Sequence, residues 1–322
     1  MATRARPGAS AAEAGARPAG AAGRRRRSGQ LAQEERFAWL LASPSLVVLG
    51  LMTTLPLLVL VGMSTFRLDL AAPFRNRWIG LDNYARMLGD ARFLEGLWIT
   101  AVYTVVTVVL QVVLGLALAL AFFRLRRGMG ALQVVVLLPM ILAPIVVGLA
   151  WKTLMLTQLY GLVDYAAILL GVGSRPWLTD PTLALVSVIV IHTWQWTPFA
   201  FLVFLASLYA LPPEPFEAAM IDRANAWQVF RYLTLPMLRP AIFIVVIFRT
   251  MIALRAFEGI FATTGGGPGT ATEILNLYAY RVSFNSLTLG YGAALGTVLL
   301  VLTTLTSAVF FRLRREREAV PA

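Results

Sequence analysis

The chain reads as six long apolar runs separated by short polar connections. The runs cover Phe37–Met63, Leu97–Phe123, Leu132–Leu156, Leu183–Leu208, Met237–Phe261 and Tyr291–Phe311. A helix needs about 20 mostly apolar residues to cross a bilayer, and every run reaches that length. The pattern predicts an all-α integral membrane protein with six transmembrane helices over residues 37–312. Pro139 and Pro144 fall inside the third run and Pro198 inside the fourth. Kinks or local breaks are expected there, tolerated where neighbouring helices re-satisfy the freed carbonyls. Residues 1–36 hold Ala, Gly, Arg, Ser and Pro with almost no large apolar side chains. Such a segment cannot build a core, so a disordered basic tail is expected. Residues 313–322 form a second tail. The first run is too long for the apolar part of a signal peptide and lacks a clear small-residue cleavage site, so it reads as an uncleaved span.

One connection, residues 209–240, departs from the rest. "LPPEP" at Leu211–Pro215 stops the fourth run, since proline cannot continue a helix. Good helix formers follow from Phe216. Glu217 lies near the start of a short helix, where a carboxylate meets the positive end of the dipole. Ala218 and Ala219 have almost no side chain and let another surface approach the backbone. Asn225 is the expected N-cap of a second short helix, with Gln228 three residues on completing a capping box. Val229, Phe230 and Leu233 are expected to face inward, and Pro236 closes the block. Physics alone leaves two readings open: an amphipathic hairpin lying on the membrane surface, or a docking site for another chain.

Composition agrees with the membrane assignment. Of 322 residues, 58% are hydrophobic and 14% charged, against about 25% charged in ordinary soluble domains. The net charge of +12 comes from basic clusters flanking apolar runs. No aromatic-interleaved basic groove accompanies them, so topology accounts for the charge better than nucleic acid does. Six spans put both termini on one side. That side holds 18 arginines, in the N-terminal tail, at Arg124, Arg126 and Arg127, at Arg223, Arg231 and Arg239, and in the C-terminal tail; the other side holds seven. The excess predicts that both termini and the 209–240 block are cytoplasmic.

Much chemistry is absent. The sequence has no cysteine, one histidine (His192) and one lysine (Lys152). No thiolate site, His-pair metal site, H-E-x-x-H or G-x-S-x-G is available. Lys152 follows Trp151 rather than glycine, so no P-loop cradles ATP phosphates. No catalytic, metal or cofactor-binding residue is expected. If the work needs ATP, the ATPase is another polypeptide. Ionisable residues within spans are functional candidates by default, because lipid makes them costly. Here these are Lys152, His192, Arg249, Arg255 and Glu258. Lys152 lies near a span end and is expected to snorkel to the interface; His192 reads as a satisfied packing residue. Arg255 and Glu258, three apart, are expected to pair or to line a polar cavity. Trp194, Gln195 and Trp196 offer aromatic faces and an amide, groups suited to a sugar, while tryptophan is also common in the belts at membrane interfaces.

The stretch "EAAMIDRANAWQVFRYLTLP", Glu217–Pro236, closely resembles the cytoplasmic loop of inner-membrane permease subunits of binding-protein-dependent ABC importers. The family pattern of Glu-Ala-Ala, three residues, Gly, nine residues and Ile-x-Leu-Pro is met by Glu217-Ala218-Ala219, Met220–Asp222 and Leu233-Thr234-Leu235-Pro236. "WIGLDNYARML", "LLPMILAPIVVGLAWK", "WLTDPTLA" and "TGGGPGTATEIL" look like its carbohydrate-uptake branch. The resemblance spans roughly Phe37–Arg312.

It implies the type I ABC importer permease fold in the cell membrane. The loop is implied to form two short helices seated in a groove of the ATPase, with Glu217, Ala218, Ala219, Asp222, Arg223, Ala224, Leu235 and Pro236 at the contact. It implies a heterodimer with a second homologous permease, two ATP-binding subunits holding ATP and Mg, an extracytoplasmic solute-binding protein and a carbohydrate cargo. The candidate pathway residues are Trp194, Gln195, Trp196, Arg249, Arg255 and Glu258. One departure stands out: Arg223 occupies the family's glycine position. Either the turn avoids a left-handed residue, or strain is accepted, or Arg223 gains an acidic partner. The alternative function is an ion-coupled secondary transporter of a small polar solute. It calls for coupling carboxylates within spans and an inverted repeat; only Glu258 is available and no clear repeat is present. A membrane enzyme lacks any catalytic constellation.

Overall fold

A computed structural model describes residues 20–125 and 130–318. The chain divides into two units, one up to Val59 and one from Leu60 onward. Helix α1, Gly20–Ser64, carries the first apolar run. It covers residues 20–36, which composition assigns to the tail; residues 1–19 lie outside the described residues.

Beyond α1 the only strands among the described residues are β1 (Phe66–Arg67) and β2 (Arg77–Trp78), antiparallel with Phe66 opposite Trp78. Then come α2 (Asp82–Leu88), α3 (Ala91–Arg124), α4 (Gly130–Ile141) and α5 (Pro144–Ala150), the last running into a π-helical turn at Trp151–Met155. Short α6 (Leu162–Leu169) precedes long α7 (Pro181–Tyr209). Helices α8 (Glu214–Ile221) and α9 (Ala226–Val229) follow, then a π-helical turn at Phe230–Thr234, α10 (Leu235–Met237) and α11 (Arg239–Leu254). The chain ends in α12 (Glu258–Thr263), α13 (Leu275–Tyr280) with a π-helical turn at Arg281–Asn285, and α14 (Leu289–Glu318).

Among the described residues four helices are long and apolar enough to cross a membrane: Trp39–Ser64 of α1, all of α3, all of α7, and Leu289–Arg312 of α14. Two bent pairs raise the number to six if each pair is one span: α4 with α5, bent by 97°, and the α9–α10 segment with α11, bent by 61°. The first bend falls at Pro144, as its lack of a donor requires. The carbonyl of Leu142 at that break accepts the amide of Gln195 at 3.0 Å. Pro198 stays inside an unbroken α7. The fifth run is not one helix: α11 stops at Leu254 and α12 restarts at Glu258.

Helices α3 and α7 form the central pair. Both start on an aspartate cap, Asp90 accepting from the backbone of Arg92 at 3.0 Å and Asp180 from that of Leu183 at 2.9 Å. Glycine lets them touch: a Cβ on Gly115 would lie 2.6 Å from that of Ala200. Around this contact Phe122, Phe201, Phe204 and Leu238 are buried together. A second cluster joins Tyr103 of α3 and Val188 of α7 to Ile260 and Leu277.

The end of the bundle remote from α8 is tied by polar side chains. Glu273, 1% exposed, takes a bidentate grip from Arg92 at 2.7 and 2.9 Å and a third bond from Arg281 at 2.6 Å. Arg281 also donates to the carbonyl of Gly265, and Tyr278 and Tyr291 both donate to Asp90, at 2.6 and 2.5 Å. Burial raises the Asp90 pKa, but these two hydroxyls and the backbone N–H groups of Phe93 and Arg92 outweigh it and hold the carboxyl below its usual range.

Between α5 and α7 the connection winds around Asp164 of α6. The buried Asp164 carboxylate accepts from the backbone of Arg175 at 2.9 Å, the Ser174 hydroxyl at 2.7 Å, the backbone of Leu159 at 2.7 Å and the Trp177 indole at 2.7 Å. The Arg175 and Ser174 bonds lead in holding its pKa far below the ordinary carboxylate value, against the opposing effect of burial. Because the folded pKa is depressed, this contribution to stability is complete above about pH 4. It fades as the pH falls through the lowered folded value. Asp164→Asn turns two acceptor sites into donors facing donors. We expect it to raise amide hydrogen exchange across residues 157–178 at neutral pH and to abolish the further loosening at low pH. Exchange at wild-type rates in the variant refutes this.

Candidate functional site

The 209–240 connection folds as two short helices meeting at a sharp turn. α8 ends in a Schellman motif: the Arg223 N–H bonds to the Met220 carbonyl at 3.1 Å and the Ala224 N–H to the Ala219 carbonyl at 2.9 Å. That motif needs a left-handed residue at the position Arg223 holds, and its φ is +52°. The turn is therefore built with a left-handed arginine, a conformation costing about 1–2 kcal/mol for an L-residue. Two residues on, the expected capping box is formed: the Gln228 N–H reaches Asn225 at 2.9 Å and the Asn225 N–H reaches Gln228 at 2.8 Å.

This hairpin presents apolar groups outward. Met220, Ile221, Trp227 and Tyr232 are 66–83% exposed. Glu217, Ala218, Asp222 and Arg223 are also exposed, whereas Ala219 is buried and Ala224, Leu235 and Pro236 are half-buried. Val229, Phe230 and Leu233 turn inward and are half-buried. The loop is thus stiff at both ends of its turn, and its free surface sets four large apolar side chains among charged and polar ones.

The second group of candidates surrounds a small cavity of about 90 Å³. Tyr103, His192, Gln195, Trp196, Arg255 and Glu258 reach its wall. Trp194 does not: two residues along a helix lie about 200° apart, and Trp194 instead packs on Trp151 at 5.4 Å. Gln195 faces the cavity while its amide serves the Leu142 carbonyl. Arg255 and Glu258 form no ion pair among the described residues. The helix break between them removes the shared face that a three-residue spacing presumes.

Arg249 sits one side chain behind the cavity and is fully buried. Its Nε donates to Gln111 at 2.7 Å, one amino group meets His192 Nε2 at 3.0 Å, and its guanidinium stands 4.7 Å above the Trp196 ring. Since arginine only donates, His192 Nε2 accepts and the histidine proton is assigned to Nδ1. The remaining amino group has no partner. Among the described residues no carboxylate neutralises this cation; it rests on an amide, an imidazole and an aromatic face.

Gln111, Tyr103, Asp164 and Glu273 were not among the residues read from sequence as candidates. Gln111 carried a usable signal, a lone amide in the middle of an otherwise apolar run. Glu273 and Asp164 gave none, because their partners lie far away in sequence or are backbone groups.

Residues 111–317 match the family described as binding-protein-dependent transport system inner membrane component. The chain belongs to this family and is a multi-pass ABC-transporter permease. It is 33% identical over 285 residues to the trehalose/maltose transport system permease protein MalF of Thermococcus litoralis, covering 88% of this chain and 96% of that protein. It is 32% identical over 287 residues to the trehalose transport system permease protein SugA of Mycobacterium tuberculosis, covering 89% and 91%. Its fold matches a chain of a bacterial alginate ABC transporter, solved in complex with alginate pentasaccharide-bound periplasmic protein. That match has a TM-score of 0.73 at 18% identity over 90% of this chain and 98% of that one. The likeness shows the type I importer permease fold.

Two predictions follow the geometry. Arg223→Gly relieves the left-handed strain but adds backbone entropy to the unfolded chain. We expect a net gain of about 0.5–1 kcal/mol in thermal unfolding in detergent, while Asn225→Ala loses about 1 kcal/mol; the opposite signs refute the cap assignment. Gln111→Leu strands a second group of a buried cation and is expected to cost about 1.5–3 kcal/mol. Arg249→Met removes the cation itself and should cost less, so a larger loss in Arg249→Met overturns this account of the cluster.

Proposed function

We propose that this chain is the transmembrane subunit of an ATP-driven importer that moves a carbohydrate delivered by an extracytoplasmic solute-binding protein. The observation that carries the reading is the 209–240 hairpin. It is rigidly capped, it exposes Met220, Ile221, Trp227 and Tyr232, and it belongs to a chain with no P-loop of its own. Energy then enters through this face from separate ATPase subunits holding ATP and Mg. The sugar assignment is supported by the trehalose and maltose names of the relatives and by the alginate transporter of shared fold.

On this reading the chain crosses the membrane six times, with α4 and α5 together as the third span and Met237–Phe261 as the fifth, and both termini lie in the cytoplasm with the hairpin. It pairs with a second, homologous permease chain. Glu217, Ala218, Ala219, Asp222, Arg223, Ala224, Leu235 and Pro236 form or support the ATPase contact. Ala219 and Ala224, being covered, act through close packing rather than direct touch. Trp196, Arg255 and Glu258 at the cavity are the better candidates for the sugar path. Gln195 joins them on the wall while its amide holds the Leu142 carbonyl, Arg249 supports them from behind, and Trp194 is set apart. ATP binding biases the equilibrium between inward- and outward-facing states by binding one of them better.

Reconstituted uptake tests the reading. We expect sugar uptake to require ATP, an added ATPase chain and a binding protein, and Ile221→Glu to reduce ATP-driven uptake at least tenfold while leaving thermal stability unchanged. Uptake by this chain alone under an ion gradient overturns the assignment. Because the chain lacks cysteine, a single cysteine at position 220 reports orientation: modification only after the membrane is permeabilised is the expected result.

A further inference from the structure

At the α8 end of the bundle, α3, α7 and the hairpin enclose a groove of about 780 Å³. Its walls are apolar, built from Leu120 and Phe123 of α3, Leu208 of α7, Phe216 of α8, and Val229 and Phe230. Among the described residues Arg124 is the only charged one that lines it. Arg124 is exposed and makes no ion pair among the described residues. In the sequence it is followed closely by Arg126 and Arg127.

Depth decides what such a groove meets. α3 has 34 residues and so is about 50 Å long, against about 30 Å of hydrocarbon and 40–45 Å with headgroups. Leu120 to Arg124 at its end therefore fall near headgroup level, with the guanidinium on the polar side of the apolar walls. Tyr209, 63% exposed and 5.3 Å from the Phe123 ring, supplies the amphipathic ring typical of that depth. A largely apolar groove at that depth, with one cation and no carboxylate on its lining among the described residues, is complementary to an acyl chain carrying a negative headgroup.

We propose that this groove binds one anionic phospholipid, its acyl chain against Leu120, Leu208 and Phe230 and its phosphate on Arg124. The bound lipid then fills the space behind the hairpin and supports Val229 and Phe230 from the membrane side. The proposal rests on the part of the functional reading that has α3 and α7 crossing a bilayer. It does not depend on the ATPase or on the cargo.

The test uses the full chain purified in mild detergent and incubated with phosphatidylglycerol or phosphatidylcholine, with retained lipid counted by native mass spectrometry. A preference of about fivefold for phosphatidylglycerol is expected, the factor corresponding to ~1 kcal/mol for one basic residue at an anionic surface. Arg124→Gln should erase the preference by lowering phosphatidylglycerol retention more than phosphatidylcholine retention. Leu120→Trp, which fills the groove, should lower retention of both; Ala224→Leu serves the same purpose if that variant does not fold. Equal retention of the two lipids by the unaltered chain overturns the proposal, as does a preference that survives Arg124→Gln. Loss of the bound lipid when partner chains are added assigns the groove to a protein contact and also overturns it. Because lipid is counted without nucleotide or ATPase, failure here leaves ATP-dependent uptake standing, and failure of uptake leaves the lipid result standing.

Discussion

In a hydrocarbon environment every backbone N–H and C=O must find a partner within the protein, and that constraint orders this structure. The chain breaks its helices at Pro144 and between Leu254 and Glu258, and it passes through three π-helical turns. The two helix breaks free carbonyls that lipid cannot satisfy. The Leu142 carbonyl is met by Gln195, and the carbonyl of Arg255 by the Asn276 amide at 3.2 Å. Side-chain amides thus occupy positions that look like waste in an apolar helix, and they hold the breaks beside the cavity. The unbroken pair α3 and α7 is the rigid reference against which those broken elements are set, joined where Gly115 meets Ala200.

The buried cation follows the same logic at higher cost. Arg249 has no carboxylate partner, and its charge is spread over Gln111, His192 and Trp196. Three helices, α3, α7 and α11, meet in that one cluster. At the far end the reverse arrangement appears, with one carboxylate, Glu273, shared between two guanidinium groups. The bundle therefore has an ion-paired end, an unpaired charge at mid-depth and a capped hairpin at the other end.

Period and length made the long elements legible in the sequence. The apolar runs foretold α3, α7, α14 and the hydrophobic part of α1, because a 20-residue apolar stretch has few other uses. Local rules foretold the Asn225–Gln228 capping box and the bend at Pro144, since each depends on residues within one or two turns. Of the two readings of Arg255 and Glu258, the ion pair does not form among the described residues, because the helix breaks between them, and both reach the cavity wall instead. Trp194 and Trp196, named together in the sequence, point to different faces of α7, so that Trp196 reaches the cavity and Trp194 packs on Trp151. The Asp164 and Glu273 networks were illegible: Glu273 lies 181 positions from Arg92, and two of the Asp164 donors are backbone groups with no sequence signature.

The two caps of the hairpin have a mechanical consequence. Between Ile221 and Ala226 only four residues intervene, and hydrogen bonds fix both ends of that link. A hinge needs dihedrals free to absorb displacement, and here they are already committed, one of them at an unfavourable φ that only over-determined surroundings maintain. The link therefore has low compliance. A displacement applied to α8 arrives at α9 and the foot of α11 as translation of the whole, with little of it lost to bending at Arg223.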